Sequence, residues 1–132
     1  MLLKEKLLLK DRPSSAIVAV SDLDRAREFY NQTLGLDAEG GAQDGVLTLR
    51  TGNTRLVVYE SEEAGTNKAN AVVWSGGEEF DEIAAQLREQ GVRFEEYPKL
   101  DMTIENGVHR SGEFKGVWFK DPDGNILHVN NM

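Results

Sequence analysis

The chain has 132 residues, 39% of them apolar, which suffices for one hydrophobic core and therefore for one domain. A formal net charge of −8 speaks against a surface that neutralises phosphates or lies on anionic lipid, since both need clustered Lys and Arg, so neither a nucleic acid nor a membrane is an expected partner. The lack of cysteine excludes disulfides, thiolate metal sites and thiol nucleophiles together.

Residues 1–10 break their leucine runs with Lys4, Glu5, Lys6 and Lys10 and offer no apolar stretch of signal-peptide or membrane-spanning length. A cytoplasmic location is therefore expected, with residues 1–13 as an N-terminal arm or an added strand. Residues 15–20 form an apolar run rich in β-branched residues and predict a strand. Ser21, with Asp24 three residues on, predicts a helix start: the hydroxyl accepts from an orphan N–H and acids favour the positive helix end. Ala26, Phe29, Tyr30 and Leu34 follow at helical spacing, and Gly35 supplies a left-handed end. Short strands are expected at 37–39, 46–50 and 55–60, separated by Gly45 and Gly52-Asn53.

The second half repeats this order. A strand at 71–74 runs into Gly76-Gly77, and a helix carries Phe80, Ile83, Ala84 and Leu87 before Gly91 closes it. Strands are expected at 92–97, 116–120 and 125–130, with Asp121-Pro122-Asp123-Gly124 as the last turn. Residues 100–115, with Gly107 and Gly112, interrupt this half and read either as a lid over a site or as a hairpin with no task. The spacing from Ser15 to Gly35 nearly equals that from Asn70 to Gly91, which marks a duplicated strand–helix–strands unit. One α+β domain over 1–132 is expected, with module one at about 14–60 and module two at about 69–131. Two such sheets side by side curl around a shared cleft.

Three motifs, in order, carry a family resemblance. Ile17-Val18-Ala19-Val20-Ser21-Asp22-Leu23-Asp24-Arg25-Ala26, with Phe29-Tyr30 and Leu34-Gly35-Leu36, resembles the opening of vicinal-oxygen-chelate proteins, the glyoxalase/bleomycin-resistance/dioxygenase group. Leu87-Arg88-Glu89-Gln90-Gly91-Val92 is similar to the end of that family's second helix, and Phe119-Lys120-Asp121-Pro122-Asp123-Gly124-Asn125-Ile126-Leu127 resembles its closing motif. The resemblance covers nearly everything after Pro13. It implies two tandem βαβββ modules forming a curved mixed sheet around a cleft, a homodimer and, in many members, a divalent metal held from the first and last strands of each module.

Under that resemblance the four metal positions fall on Ser15, on the stretch Leu56 to Val58, on Asn70 and on His128. Ser is a poor ligand, a carboxamide binds transition metals weakly, Leu and Val cannot bind, and His128 is the one good donor. Glu60 is the nearest acid, on the alternating face of Leu56 and Val58. No family-type metal or other cofactor is therefore expected. Alternation places Ile17 and Ala19 with Ser15, and Val72 and Trp74 with Asn70. Trp118, Ile126 and His128 are candidates for the same wall. The expected ligand set is Ser15, Glu60, Asn70, Trp74, Trp118 and His128, with His128 also the candidate general base. The leading expectation is metal-independent binding of a small organic molecule, cationic or aromatic, in the inter-module cleft. Its rivals are a metal-dependent enzyme of the same superfamily, a glyoxalase-like lyase or dioxygenase with a rearranged site, and a non-catalytic dimeric interaction module.

Overall fold

Each half places one helix against one face of its own sheet. The computed structural model describes residues 9–11, 13–40 and 45–132; the N-terminal arm expected over 1–13 lies mostly outside them, apart from a 3-10 turn at Leu9–Asp11. Module one comprises β1 (Ala16–Val20), α1 (Leu23–Arg27) continued by a π-helix over Glu28–Thr33, β2 (Asp37–Ala38), β3 (Val46–Thr51) and β4 (Thr54–Glu60). Module two comprises β5 (Asn70–Ser75), α2 (Phe80–Glu89), β6 (Thr103–Glu105), β7 (Val108–Ser111), β8 (Phe114–Lys120) and β9 (Ile126–Asn130). The sheets have the orders β1-β4-β3-β2 and β5-β9-β8-β7-β6. In both, the first strand pairs parallel with the last, and all other pairs are antiparallel. The same path drawn twice is the duplicated α+β architecture, with β1 and β5 in contact at the seam. No described helix is long and apolar enough to cross a membrane.

Two local readings are corrected and a third is resolved. The cap of α1 is Asp22, whose carboxylate accepts from Arg25 N–H at 3.1 Å; Ser21 instead gives its hydroxyl to Asp123 Oδ1 at 2.6 Å. Residues 92–97 run extended along β8 but form no ladder, bonding it through Glu95 N–H to the Trp118 carbonyl at 2.7 Å. The stretch 100–115, left open between a lid and a hairpin, contains the β6–β7 hairpin, which brings the sheet to five strands. Asn106 and Gly107 turn it with φ of 51° and 81°, the left-handed pair that a tight hairpin turn requires.

The core lies between sheets and helices. Val18, Val20, Leu47, Leu49, Leu56 and Val58 are buried against Leu23, Ala26 and Tyr30 in module one. Val72, Val117, Phe119, Leu127 and Val129 are buried against Phe80, Ala84 and Leu87 in module two. Strand alternation then turns Ile17, Ala19, Val57 and Tyr59 to the opposite, open face of the first sheet. Ile17 is 61% exposed there, and Val73, on the adjoining strand β5 of the second sheet, is 58% exposed.

The two ends of the seam differ. At one end, module two presents the Asp121-Pro122-Asp123-Gly124-Asn125 turn to module one. Asp123 accepts from Ser21 N–H, Ser21 Oγ and Arg25 Nη2. Asp121 accepts from the Tyr30 hydroxyl at 2.8 Å, and Asn125 Nδ2 donates to the Ala19 carbonyl at 2.8 Å. At the other end, Trp74 Nε1 donates to Thr51 Oγ1 at 3.0 Å, and beside it a cavity opens.

Candidate functional site

The cavity measures about 820 Å³, within the size range of small-molecule sites. It lies at the seam, on the helix side of the second sheet. Module two supplies an apolar wall of Val72, Trp74, Phe119 and Val129 from its sheet, closed by Ile83 and Leu87 from α2. Module one supplies Leu34, Leu36 and Leu56, with a polar rim of Ser14, Ser15 and the β3–β4 turn from Thr51 to Arg55. The rim is polar for a local reason: the start of β1 and a two-residue Gly52-Asn53 turn must satisfy backbone and side chains in water.

Of the expected ligand residues, Ser15 and Trp74 meet at this cavity; Glu60, Asn70, Trp118 and His128 do not line it. The expectation that Asn70 and Trp74 share a face fails because of a β-bulge. The register passes from Asn70 opposite Ile126 directly to Val72 opposite Leu127, so one extra residue reverses the alternation. Asn70 therefore goes with Ile126 and His128 on the open face, while Val72 and Trp74 go with Leu127 and Val129 into the core. Glu60 shares its face with Leu56 and Val58, as expected, but that face carries α1: its Oε2 accepts from Leu23 N–H at 3.2 Å, at the positive start of the helix.

On the open face of module two the aromatic rings pack on one another. Trp118 stacks on His128 with centroids 4.2 Å apart and planes 17° apart, and His109 and Tyr97 meet the indole edge-on. Both ring nitrogens of His128 are engaged, Nδ1 with the Val117 carbonyl at 3.0 Å and Nε2 with Asn130 Nδ2 at 3.2 Å. Nδ1 therefore carries the proton and Nε2 accepts, which describes a neutral ring. Burial holds its pKa below the usual histidine value, and His109 lowers it further against the opposing pull of the Val117 carbonyl. His109 is likewise committed: Nε2 accepts from Tyr97 N–H at 3.0 Å and Nδ1 faces the Gly107 carbonyl at 3.2 Å. The Tyr97 hydroxyl is buried with no partner among the described residues, and burial raises its pKa. Gly116 is needed beneath this stack, since a Cβ there would stand 2.9 Å from His128 Cε1.

A histidine kept neutral in the fold contributes stability that is present above its unfolded pKa, about 6.5, and is lost as the pH falls below it. His128→Phe should keep the stack on Trp118 and flatten that acid-side loss. Thermal melts of both proteins between pH 7.5 and 5 check this, and an unchanged slope would assign the acid sensitivity elsewhere.

The four positions that family resemblance links to a metal hold a donor set that does not fit one. Ser15 is a neutral hydroxyl, Leu56 and Val58 point into the core, Asn70 is a carboxamide, and His128 has no free ring nitrogen. No group of three His, Asp or Glu side chains suited to a metal forms among the described residues.

Comparison with known proteins supports the architecture. The family model of the Glyoxalase/Bleomycin resistance protein/Dioxygenase superfamily matches residues 12–129. No curated protein sequence matches the chain. Among solved structures, a glyoxalase/bleomycin resistance protein/dioxygenase from Alicyclobacillus acidocaldarius superposes with a TM-score of 0.69 at 18% identity, covering 91% of this chain and 90% of that one. A lactoylglutathione lyase from Agrobacterium tumefaciens gives 0.68 at 17% identity, with 91% and 92% covered. The fosfomycin resistance protein FosX from Mesorhizobium loti gives 0.65 at 13% identity, with 92% of both chains covered. At these identities the likeness is one of fold.

Proposed function

The chain belongs to the Glyoxalase/Bleomycin resistance protein/Dioxygenase superfamily, and from that premise we propose that it binds a small organic molecule without a metal, in the cavity between its modules. The observation that carries this reading is the cavity itself, open at its mouth, lined by apolar side chains from both modules and rimmed by polar ones. Burial of an apolar or aromatic ligand against Val72, Ile83, Leu87 and Phe119 supplies the driving force at roughly 25 cal/mol per Å² of apolar surface removed from water, before the costs of association. Trp74 adds a half-buried indole on the wall. The donor chemistry of the four family positions supports metal independence.

A thermal-shift screen of cationic, aromatic and antibiotic compounds in chelator-treated buffer tests the reading. At least one class should raise the melting temperature saturably, because a ligand that binds only the folded state stabilises it in proportion to the logarithm of its concentration. Failure of every class, with the protein folded, would overturn it.

A homodimer is our reading of the open sheet face, where Ile17 and Val73 expose apolar surface on adjoining strands. Light scattering should report twice the monomer mass of 14.7 kDa, and a monomer at working concentration would remove this assignment.

A further inference from the structure

The charge a ligand carries can be read from which wall groups are already spent. Arg55 is the one basic residue on the described wall, and Glu39 holds it bidentately, with Nε to Oε1 at 2.6 Å and Nη2 to Oε2 at 3.2 Å. That pairing pulls the Glu39 carboxyl below its usual pKa and raises the guanidinium, so the two are a matched ion pair. Thr51 Oγ1 accepts from Trp74, and Thr54 Oγ1 donates to the Thr51 carbonyl. The side chains of Ser14, Ser15, Asn53, Ser75 and Glu79 have no hydrogen bond or ion pair among the described residues. The uncommitted inventory is three hydroxyls, one carboxamide, one carboxylate and no cation.

We propose that the ligand of this cavity is a cationic amphiphile, an amine whose apolar body lies against the module-two wall and whose ammonium sits at the mouth by Glu79. This rests on the cavity being the binding site. Glu79 follows Trp74 and Ser75 closely in the chain, where the 3-10 turn Gly77–Glu79 leads into α2, and all three residues line the cavity. An ammonium there gains a carboxylate, at the edge of a cavity whose wall includes Trp74. An anion finds hydroxyls, the Asn53 carboxamide, a guanidinium already paired with Glu39 and an opposing carboxylate, in a chain whose net charge of −8 repels it at longer range.

Three probes of one shape test it by calorimetry: 2-(aminomethyl)naphthalene, 2-naphthalenemethanol and 2-naphthoate. The amine should bind about 2- to 5-fold tighter than the alcohol, from an exposed ion pair, and the acid should bind more weakly than the alcohol. Glu79→Gln, at an exposed position, should bring the amine down to the affinity of the alcohol while leaving the alcohol unchanged. An acid that equals or exceeds the amine, or an amine indifferent to Glu79→Gln, overturns the cationic assignment while binding of the alcohol keeps the cavity. Binding by none of the three overturns both.

Discussion

Asp121→Ala should lower folding stability by about 3–5 kcal/mol, the scale seen when one partner of a buried charged network is removed. Asp121 is buried and accepts four bonds, at Oδ1 from Asp123 N–H (2.9 Å) and Asn125 N–H (2.8 Å) and at Oδ2 from the Tyr30 hydroxyl and Asn125 Nδ2 (both 2.8 Å). Removing it leaves those donors without an acceptor and loosens the turn that ties module two to β1 and α1. Asp121→Asn retains an acceptor oxygen and should lose less. Urea denaturation checks the pair; a loss under about 1 kcal/mol for the alanine variant would show that the turn does not hold the modules together.

The same network has an alkaline consequence. Burial, with the charges of Asp121 and Asp123 beside it, pushes the Tyr30 phenol far above its usual value, so it stays a donor in the fold. The associated stability is full below the unfolded tyrosine pKa of about 10 and is lost as the pH rises beyond it.

Ser15→Trp should reduce ligand affinity by at least about tenfold while leaving stability within about 0.5 kcal/mol, as for exposed positions without partners. Ser15 is exposed at the cavity rim with no side-chain bond among the described residues, so an indole there costs the fold little and fills the mouth. Repeating the thermal-shift titration with this variant separates the inter-module cavity from the open sheet face. If ligand stabilisation persists at full strength, the ligand sits elsewhere, and the aromatic stack of Trp118 and His128 becomes the place to look.

The contrast between the two seam ends gives these expectations a common cause. Among the described residues, five side-chain hydrogen bonds join the modules at the Asp121–Asn125 turn, and one, from Trp74 to Thr51, joins them beside the cavity. A polar network that satisfies its members leaves no room for a guest, whereas an apolar wall with a single tie does. The Asp121–Asn125 turn therefore serves cohesion here, and the cavity opens at the opposite end.

What could be read from the sequence was what local periodicity encodes. The helical repeat of Phe80, Ile83, Ala84 and Leu87, the β-branched strand before Ser21 and the Pro-Asp-Gly turn each specify their conformation within a few residues, and their repetition marked two modules. The stretch 100–115 left a lid and a hairpin both open, and the left-handed Asn106-Gly107 pair turns the β6–β7 hairpin there. Tertiary structure alone decided the rest. A one-residue bulge at Ala71 sent Asn70 and Trp74 to opposite faces, and no count of alternating residues contains a bulge. Glu60 became a partner of Leu23 N–H, and both nitrogens of His128 were engaged, through contacts between strands or elements distant in sequence. The cavity draws its wall from β1, the end of the first helix, the β3–β4 turn, β5, α2, β8 and β9. Patterning shows which residues leave water, while the register and packing of distant strands determine which of them meet.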